Sequence, residues 1–253
     1  MLFFIKGIQL FFLIFSRIFS VLATTTFWGS PLIFNRIRVL SAFFISVLMF
    51  PLLKERYFDL LPIEWSMFWL WIIHNIIIGI IIGFGISIFF SIFQMAGQFF
   101  SFQMGFSISQ VLDPVSQEEI PIIGQMITVI ALLVFISTNA DLYVIDLLLN
   151  SFAKIPLIKP DYQFFVKEIS YSFGYIFSSS LQFSLPIVGS ILIATLFIGL
   201  LSKASPQINA MLFGFPIYIG IGFILISLLA PTFISQMSIY ISNIFIKIKN
   251  VLP

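Results

Sequence analysis

Residues 65–112 read WSMFWLWIIHNIIIGIIIGFGISIFFSIFQMAGQFFSFQMGFSISQVL, 48 positions from Trp65 to Leu112 without one Asp, Glu, Lys or Arg. A helix facing water needs a polar side, and this stretch has none to offer. A membrane-spanning helix takes about 20 apolar residues, so the run is apolar enough to cross a bilayer and too long to cross it once. As one helix it would measure about 72 Å, against a hydrocarbon core of ~30 Å. It must therefore break or leave the membrane.

Outward from this run the pattern repeats. Uncharged or nearly uncharged stretches recur at 18–35, 39–53, 120–140, 169–202 and 204–246. They predict six principal helical segments, near 7–26, 37–53, 66–93, 120–149, 169–201 and 210–246. The fold class that follows is an all-α membrane protein of about six long apolar, partly broken helices. Two breaks are expected on proline grounds. One is Gly214-Phe215-Pro216 in the last segment, and the other is a kink at Leu185-Pro186.

Composition agrees. The 253 residues are 60% hydrophobic and 9% charged, where a soluble domain carries about 25% charge. The absence of cysteine excludes disulfides, thiol catalysis and Cys-based metal sites. A net charge of +2, scattered along the chain, gives no footprint for nucleic acid. His74 is the only histidine, so no multi-histidine metal site exists. No cofactor and no metal are expected.

Lys6, the apolar run after it and Val21-Leu22-Ala23 imitate a signal peptide. Arg17 inside that run, and the further apolar segments, argue against cleavage. Lys6, Lys54, Arg56, Lys154, Lys159, Lys167, Lys247 and Lys249 fall on one side of the membrane, against Arg36, Arg38 and Lys203 on the other. The imbalance places both termini in the cytoplasm.

Polar residues concentrate between Gln94 and Pro121. Gln94, Gln98, Ser101 and Gly105 share one helical face, suited to close and hydrogen-bonded helix contact. Asp113-Pro114 is expected to end the helix, because a residue before proline is pushed out of the α region. Ser116 and Glu119 have capping-box spacing for a new start. Elsewhere, Gly79 and Gly83 carry a Gly-x-x-x-Gly spacing for close helix approach. Trp28, Trp65, Trp69 and Trp71 mark interfacial positions. Arg17, a charge within the bilayer, is read as pairing with a carboxylate of a neighbouring subunit. Asp141 and Asp146, five residues apart, make a poor catalytic pair.

The order of short motifs along the chain resembles the FliR family of flagellar biosynthesis proteins, whose counterpart in virulence type III secretion is the SctT family. The resemblance is carried by Arg17, Phe27-Trp28-Gly29 with Pro31, Arg36-Ile37-Arg38 and Pro51. It continues through Gly97-Gln98, Gln103-Met104-Gly105-Phe106, Asp113-Pro114-Val115-Ser116 and Leu132-Leu133-Val134-Phe135. Leu185-Pro186, Gly199-Leu200-Leu201, Ala204-Ser205-Pro206-Gln207-Ile208-Asn209 and Gly214-Phe215-Pro216 complete it. Asn139-Ala140-Asp141 departs from the Asn-Gly-His of many relatives, so no role of that histidine carries over.

The resemblance implies a non-enzymatic subunit of the flagellar type III protein export gate in the bacterial inner membrane. FliP-like, FliQ-like and FlhB-like subunits would be its partners, and unfolded export substrates its cargo. It implies a FliP-like part over 1–184 and a FliQ-like hairpin part over 185–253. It also places a pore-closing plug at about 106–120. Gln103, Met104, Gly105, Phe106, Ile108, Val111, Leu112, Asp113, Pro114 and Ser116 are the pore and plug residues on this reading. Apolar constrictions gate by dewetting, and flexible Met with bulky Phe conforms to irregular cargo. Arg17, Arg36, Arg38, Gln94, Gln98, Pro206, Gln207 and Asn209 are read as assembly residues. A virulence-type gate subunit is the alternative. A secondary transporter would need ionisable residues converging near the midplane. An intramembrane enzyme would need a pair of carboxylates or a nucleophile with its base.

Overall fold

Greasy runs of this length can satisfy their backbone polar groups in lipid only as helices or closed barrels, and helices are what forms. The computed structural model describes residues 2–26, 28, 34–58, 65–106, 122–154, 157, 163–205 and 210–251. Among them are seven helices and no strand: α1 Leu2–Thr24, α2 Asn35–Tyr57, α3 Trp65–Met104, α4 Ile122–Ser137, α5 Ala140–Lys154, α6 Gln163–Ala204 and α7 Ala210–Val251. Five are long and apolar enough to cross a membrane, and a sixth span results if α4 and α5 count together.

Three expectations are corrected. The segment read at 120–149 is two helices, parted at Thr138-Asn139. Asn139 adopts φ 53°, a left-handed conformation that asparagine tolerates better than most residues. The Thr138 hydroxyl donates back to the Val134 carbonyl at 2.9 Å, closing the α4 end. Second, Gly214-Phe215-Pro216 is no break, since α7 runs through both Pro216 and Pro231. A proline inside a helix removes one donor and frees the carbonyl four residues back; ending the helix would forfeit many more bonds in a medium without water. Third, α3 stops at Met104, well before Asp113-Pro114. At 40 residues it is still about 60 Å long, twice the hydrocarbon core.

The chain divides into two compact units. The first comprises Met1–Ile88, Asn139–Ser172 and Ser242–Pro253; the second comprises Phe89–Thr138 and Phe173–Ile241. These units interleave along the sequence. The division expected at 184/185 falls inside α6 and concerns sequence resemblance, not compactness.

In the first unit α1 is central. Leu10, Leu13, Ile14, Ile18 and Val21 are all fully buried, at the three- and four-residue spacing of one helical stripe. On α2 the inward stripe is Ala42, Ser46, Met49, Leu53 and Tyr57, while Phe44, Leu48 and Leu52 face outward. Phe11 of α1 meets Phe43 of α2 edge-on at 5.5 Å. In the second unit Phe183 lies at the centre of an aromatic cluster. Its ring centre is 5.0 Å from Phe93, 6.3 Å from Phe100 and 4.5 Å from Phe233. Phe89 and Phe90 extend the cluster to Phe135.

Burial differs sharply between helices. The most apolar stretch of α1 is 56% buried inside the chain, and that of α7 only 11%. The outer face of α7 therefore requires an apolar surrounding that the chain does not supply.

Candidate functional site

Two places concentrate the residues singled out by sequence, one in each unit. In the second unit α3 ends at the Gln103-Met104-Gly105-Phe106 motif. Gly105 takes φ +85°, a conformation strained for any residue with a Cβ. Its N–H donates to the Phe102 carbonyl at 3.1 Å, and the Phe106 N–H donates to the Ser101 carbonyl at 3.0 Å. This pair of bonds is a Schellman closure, which gives partners to carbonyls that a helix end leaves empty. Helix termination is therefore the work of Gly105, eight residues ahead of the expected Asp113.

Side chains around this end face α7. A methyl group on Gly105 would stand 2.5 Å from the Phe215 ring, and one on Gly222 would stand 2.6 Å from Met104 Sδ. Met104 is fully buried, and Phe106 meets Phe223 edge-on at 6.4 Å. Further back on α3, a methyl group on Gly97 would stand 2.6 Å from the Gly124 Cα. Backbone thus touches backbone where α4 begins. Residues 107–121 join α3 to α4 in sequence. Ile108, Val111, Leu112, Asp113, Pro114 and Ser116 belong to that segment and lie outside the described residues, as do Pro206, Gln207 and Asn209. Gln94, Gln98 and Gln103 are half-buried on α3, and Ser101 is buried.

In the first unit Arg17 is fully buried. Its Nε donates to Asn75 Oδ1 at 2.8 Å and its Nη1 to the Ser151 carbonyl at 3.0 Å. The guanidinium lies 4.7 Å from the Phe152 ring centre, a cation–π distance. The Tyr57 hydroxyl donates to the Phe152 carbonyl at 2.7 Å, and Arg56 Nη2 donates to the Ala153 carbonyl at 3.1 Å. Ser151, Phe152 and Ala153 form the last turn of α5. Its terminal carbonyls have no intrahelical partner and carry partial negative charge. Donors from α1 and α2 thus close the end of α5. The described hydrogen-bond acceptors of Arg17 are an amide oxygen and a carbonyl at the negative end of α5.

Asn75 also begins a stripe on α3, continued by Gly79, Gly83 and Ser87. Opposite it on α1 run Arg17, Ser20 and Thr24. A methyl group on Gly79 would strike the Ser20 hydroxyl and stand 2.5 Å from the Arg17 carbonyl; one on Gly83 would strike the Thr24 hydroxyl. Ser87 Oγ donates to the Thr24 carbonyl at 2.9 Å and accepts the Thr26 N–H at 3.0 Å. The expected close contact at Gly79 and Gly83 is thus a contact within the chain. Asn75, Ser87, Tyr57 and Gly124 were not singled out by sequence. The four-residue spacing 75, 79, 83, 87 was the available signal for two of them. Near the end of α1, Arg38 Nε donates to the Trp28 carbonyl at 2.8 Å, while Arg36 is exposed.

Comparison with known proteins matches residues 8–244 to the family described as bacterial export proteins, family 1. Three similar relatives bear the name flagellar biosynthetic protein FliR. That of Bacillus subtilis (strain 168) is 29% identical over 245 residues, covering 95% of this chain and 89% of the relative. That of Pectobacterium carotovorum subsp. carotovorum is 27% identical over 229 residues, covering 90% and 86%. That of Borreliella burgdorferi is 32% identical over 196 residues, covering 75% and 72%.

Proposed function

This chain belongs to the bacterial export proteins, family 1, and from that membership we propose that it is a subunit of the flagellar type III export gate. On this reading it joins FliP-like and FliQ-like subunits, and adjoins an FlhB-like one, to form the inner-membrane channel for unfolded flagellar proteins. Both termini lie in the cytoplasm. The subunit positions and seals, and it catalyses no reaction.

The observation that carries the reading is the extent of the family match, which takes in all seven helices at least in part. The geometry adds two supports. Helices of 40 and 42 residues exceed one bilayer crossing by about twofold, so much of their apolar surface needs cover from protein. The helix ends that flank residues 107–121 are held, by the Gly105 closure and by the Gly97–Gly124 contact. A tethered segment between apolar helices suits a plug that yields to cargo and returns.

Two measurements test this. Affinity purification of the chain from its native membrane should bring down FliP-like and FliQ-like proteins in fixed ratio; recovery as a lone, well-behaved monomer would reject the gate assignment. Deletion of Ser107–Val111 should make the membrane leaky to small solutes. Unchanged permeability in an assembled complex would remove the plug from the proposal and leave the gate membership standing.

A further inference from the structure

Between α1 and α2, within the first unit, runs an apolar trench of about 510 Å³. Gly7, Phe11 and Phe12 line it from α1, and Phe50, Lys54 and Phe58 from α2. The space above Gly7 is empty, since a methyl group there would meet nothing within 4 Å. Along α2 the lining extends from Val47 to Phe58, about 16 Å of helix. That is close to half of the ~30 Å hydrocarbon core, the depth of one leaflet.

One end of the trench is positive. Among the described residues Lys54 is the one charged residue in the lining, and its Nζ lies 5.7 Å from the Phe58 ring centre. Lys6 adjoins Gly7 on α1, and Arg56 follows Lys54 on the last turn of α2; among the described residues the exposed Glu55 stands against these three cations, and Asp59 follows Phe58 in sequence. Lys6 lies near the start of the apolar span of α1, and Lys54 and Arg56 lie near the end of that of α2.

We propose that this trench holds one anionic glycerophospholipid, with an acyl chain along Gly7, Phe11 and Phe50 and the phosphate at the ammonium groups of Lys54 and Lys6. The assignment is independent of the export reading, because it requires only that α1 and α2 lie in a bilayer. Basic residues at the membrane surface favour anionic lipid by about fivefold each, and the trench adds a bed for the chain.

The test uses the full chain with whatever subunits it carries, reconstituted in equal parts phosphatidylglycerol and phosphatidylcholine and then extracted in mild detergent. Mass spectrometry counts the phospholipid retained. Wild type should keep about one phosphatidylglycerol per chain, enriched at least fivefold over phosphatidylcholine. Lys54→Gln should lower that enrichment about fivefold, and Gly7→Trp should abolish retention by filling the empty space. Retained lipid in the bulk ratio, or Gly7→Trp keeping as much lipid as wild type, would overturn the proposal. Since the chain has no cysteine, Val47→Cys offers a separate arm in native membranes. Efficient crosslinking from that position to another protein would make the occupant a protein and overturn the lipid assignment.

Discussion

The contact between α1 and α3 and the cluster around Phe183 hold helices together by different means. In the first, small and polar residues let backbones touch: Gly79 and Gly83 admit Ser20 and Thr24, and the hydroxyls of Ser20 and Thr24 donate to carbonyls of their own helix at 2.8 Å. In the second, Phe93, Phe100, Phe183 and Phe233 interlock by ring contact alone. Apolar burial drives no association between helices already in lipid, which leaves packing and hydrogen bonds. The α1–α3 contact draws on both, and the Phe183 cluster on packing only. Loss of one group should therefore cost more where a hydrogen-bond network loses its donor than where a ring leaves a gap.

The contrast is tested most severely by Arg17→Met. This removes donors from Asn75 Oδ1 and the Ser151 carbonyl, and should cost about 3 kcal/mol, read as a lowered unfolding midpoint of the purified chain in detergent. Arg17→Lys should recover only part of the loss, because one ammonium cannot reproduce the planar fork. Full recovery would mean that charge alone matters at the α5 end.

Phe183→Ala should cost about 2 kcal/mol. Soluble cores lose about 3–5 for this change, but here the unfolded reference also rests in an apolar medium. A loss equal to that of Arg17→Met, in the same unfolding assay, would erase the distinction between the two regions.

Gly97→Ala should cost about 1–2 kcal/mol by overpacking, since its new methyl would meet the Gly124 backbone, which cannot rotate away. Gly199→Ala is the control. Nothing lies within 4 Å of a methyl there, so the same assay should show no loss and up to about 1 kcal/mol of gain from helix propensity.

The smallest effect is expected from Gly105→Ala, about 1 kcal/mol for a Cβ in the left-handed region together with displacement of the Phe215 ring. Hydrogen exchange should show it as faster opening confined to the end of α3. Protection unchanged at Phe106 would mean that the closure is not what stops the helix.

What was legible in the sequence followed from solvent. Runs without charge had to be helices in lipid, and the spacing of Gly79 and Gly83 announced a close contact. The Asp113-Pro114 signal misled because a glycine able to turn left-handed stood eight residues earlier, and a helix ends at the first sufficient signal. Proline at 216 misled in the opposite sense: in lipid, one lost bond is cheaper than an abandoned helix. The described helix-end partner of Arg17 was illegible for a different reason. Carbonyls at the end of α5 carry the negative pole, and every residue has a carbonyl, so no letter marks it. Asn75 could have been found by extending the glycine stripe back by four.

The Schellman closure at Gly105 and the backbone contact at Gly124 also set a ruler. The 15 residues 107–121 have a contour of about 50 Å when fully drawn out. Because the segment is fixed at both ends, none of its residues can lie more than about 31 Å from either mooring. Its moorings are themselves separated by about 12 Å along α3, the rise from Gly97 to Gly105. Any surface this segment touches, at rest or displaced, lies inside that radius, and a crosslink recorded beyond it would mean that one of the two moorings had come undone.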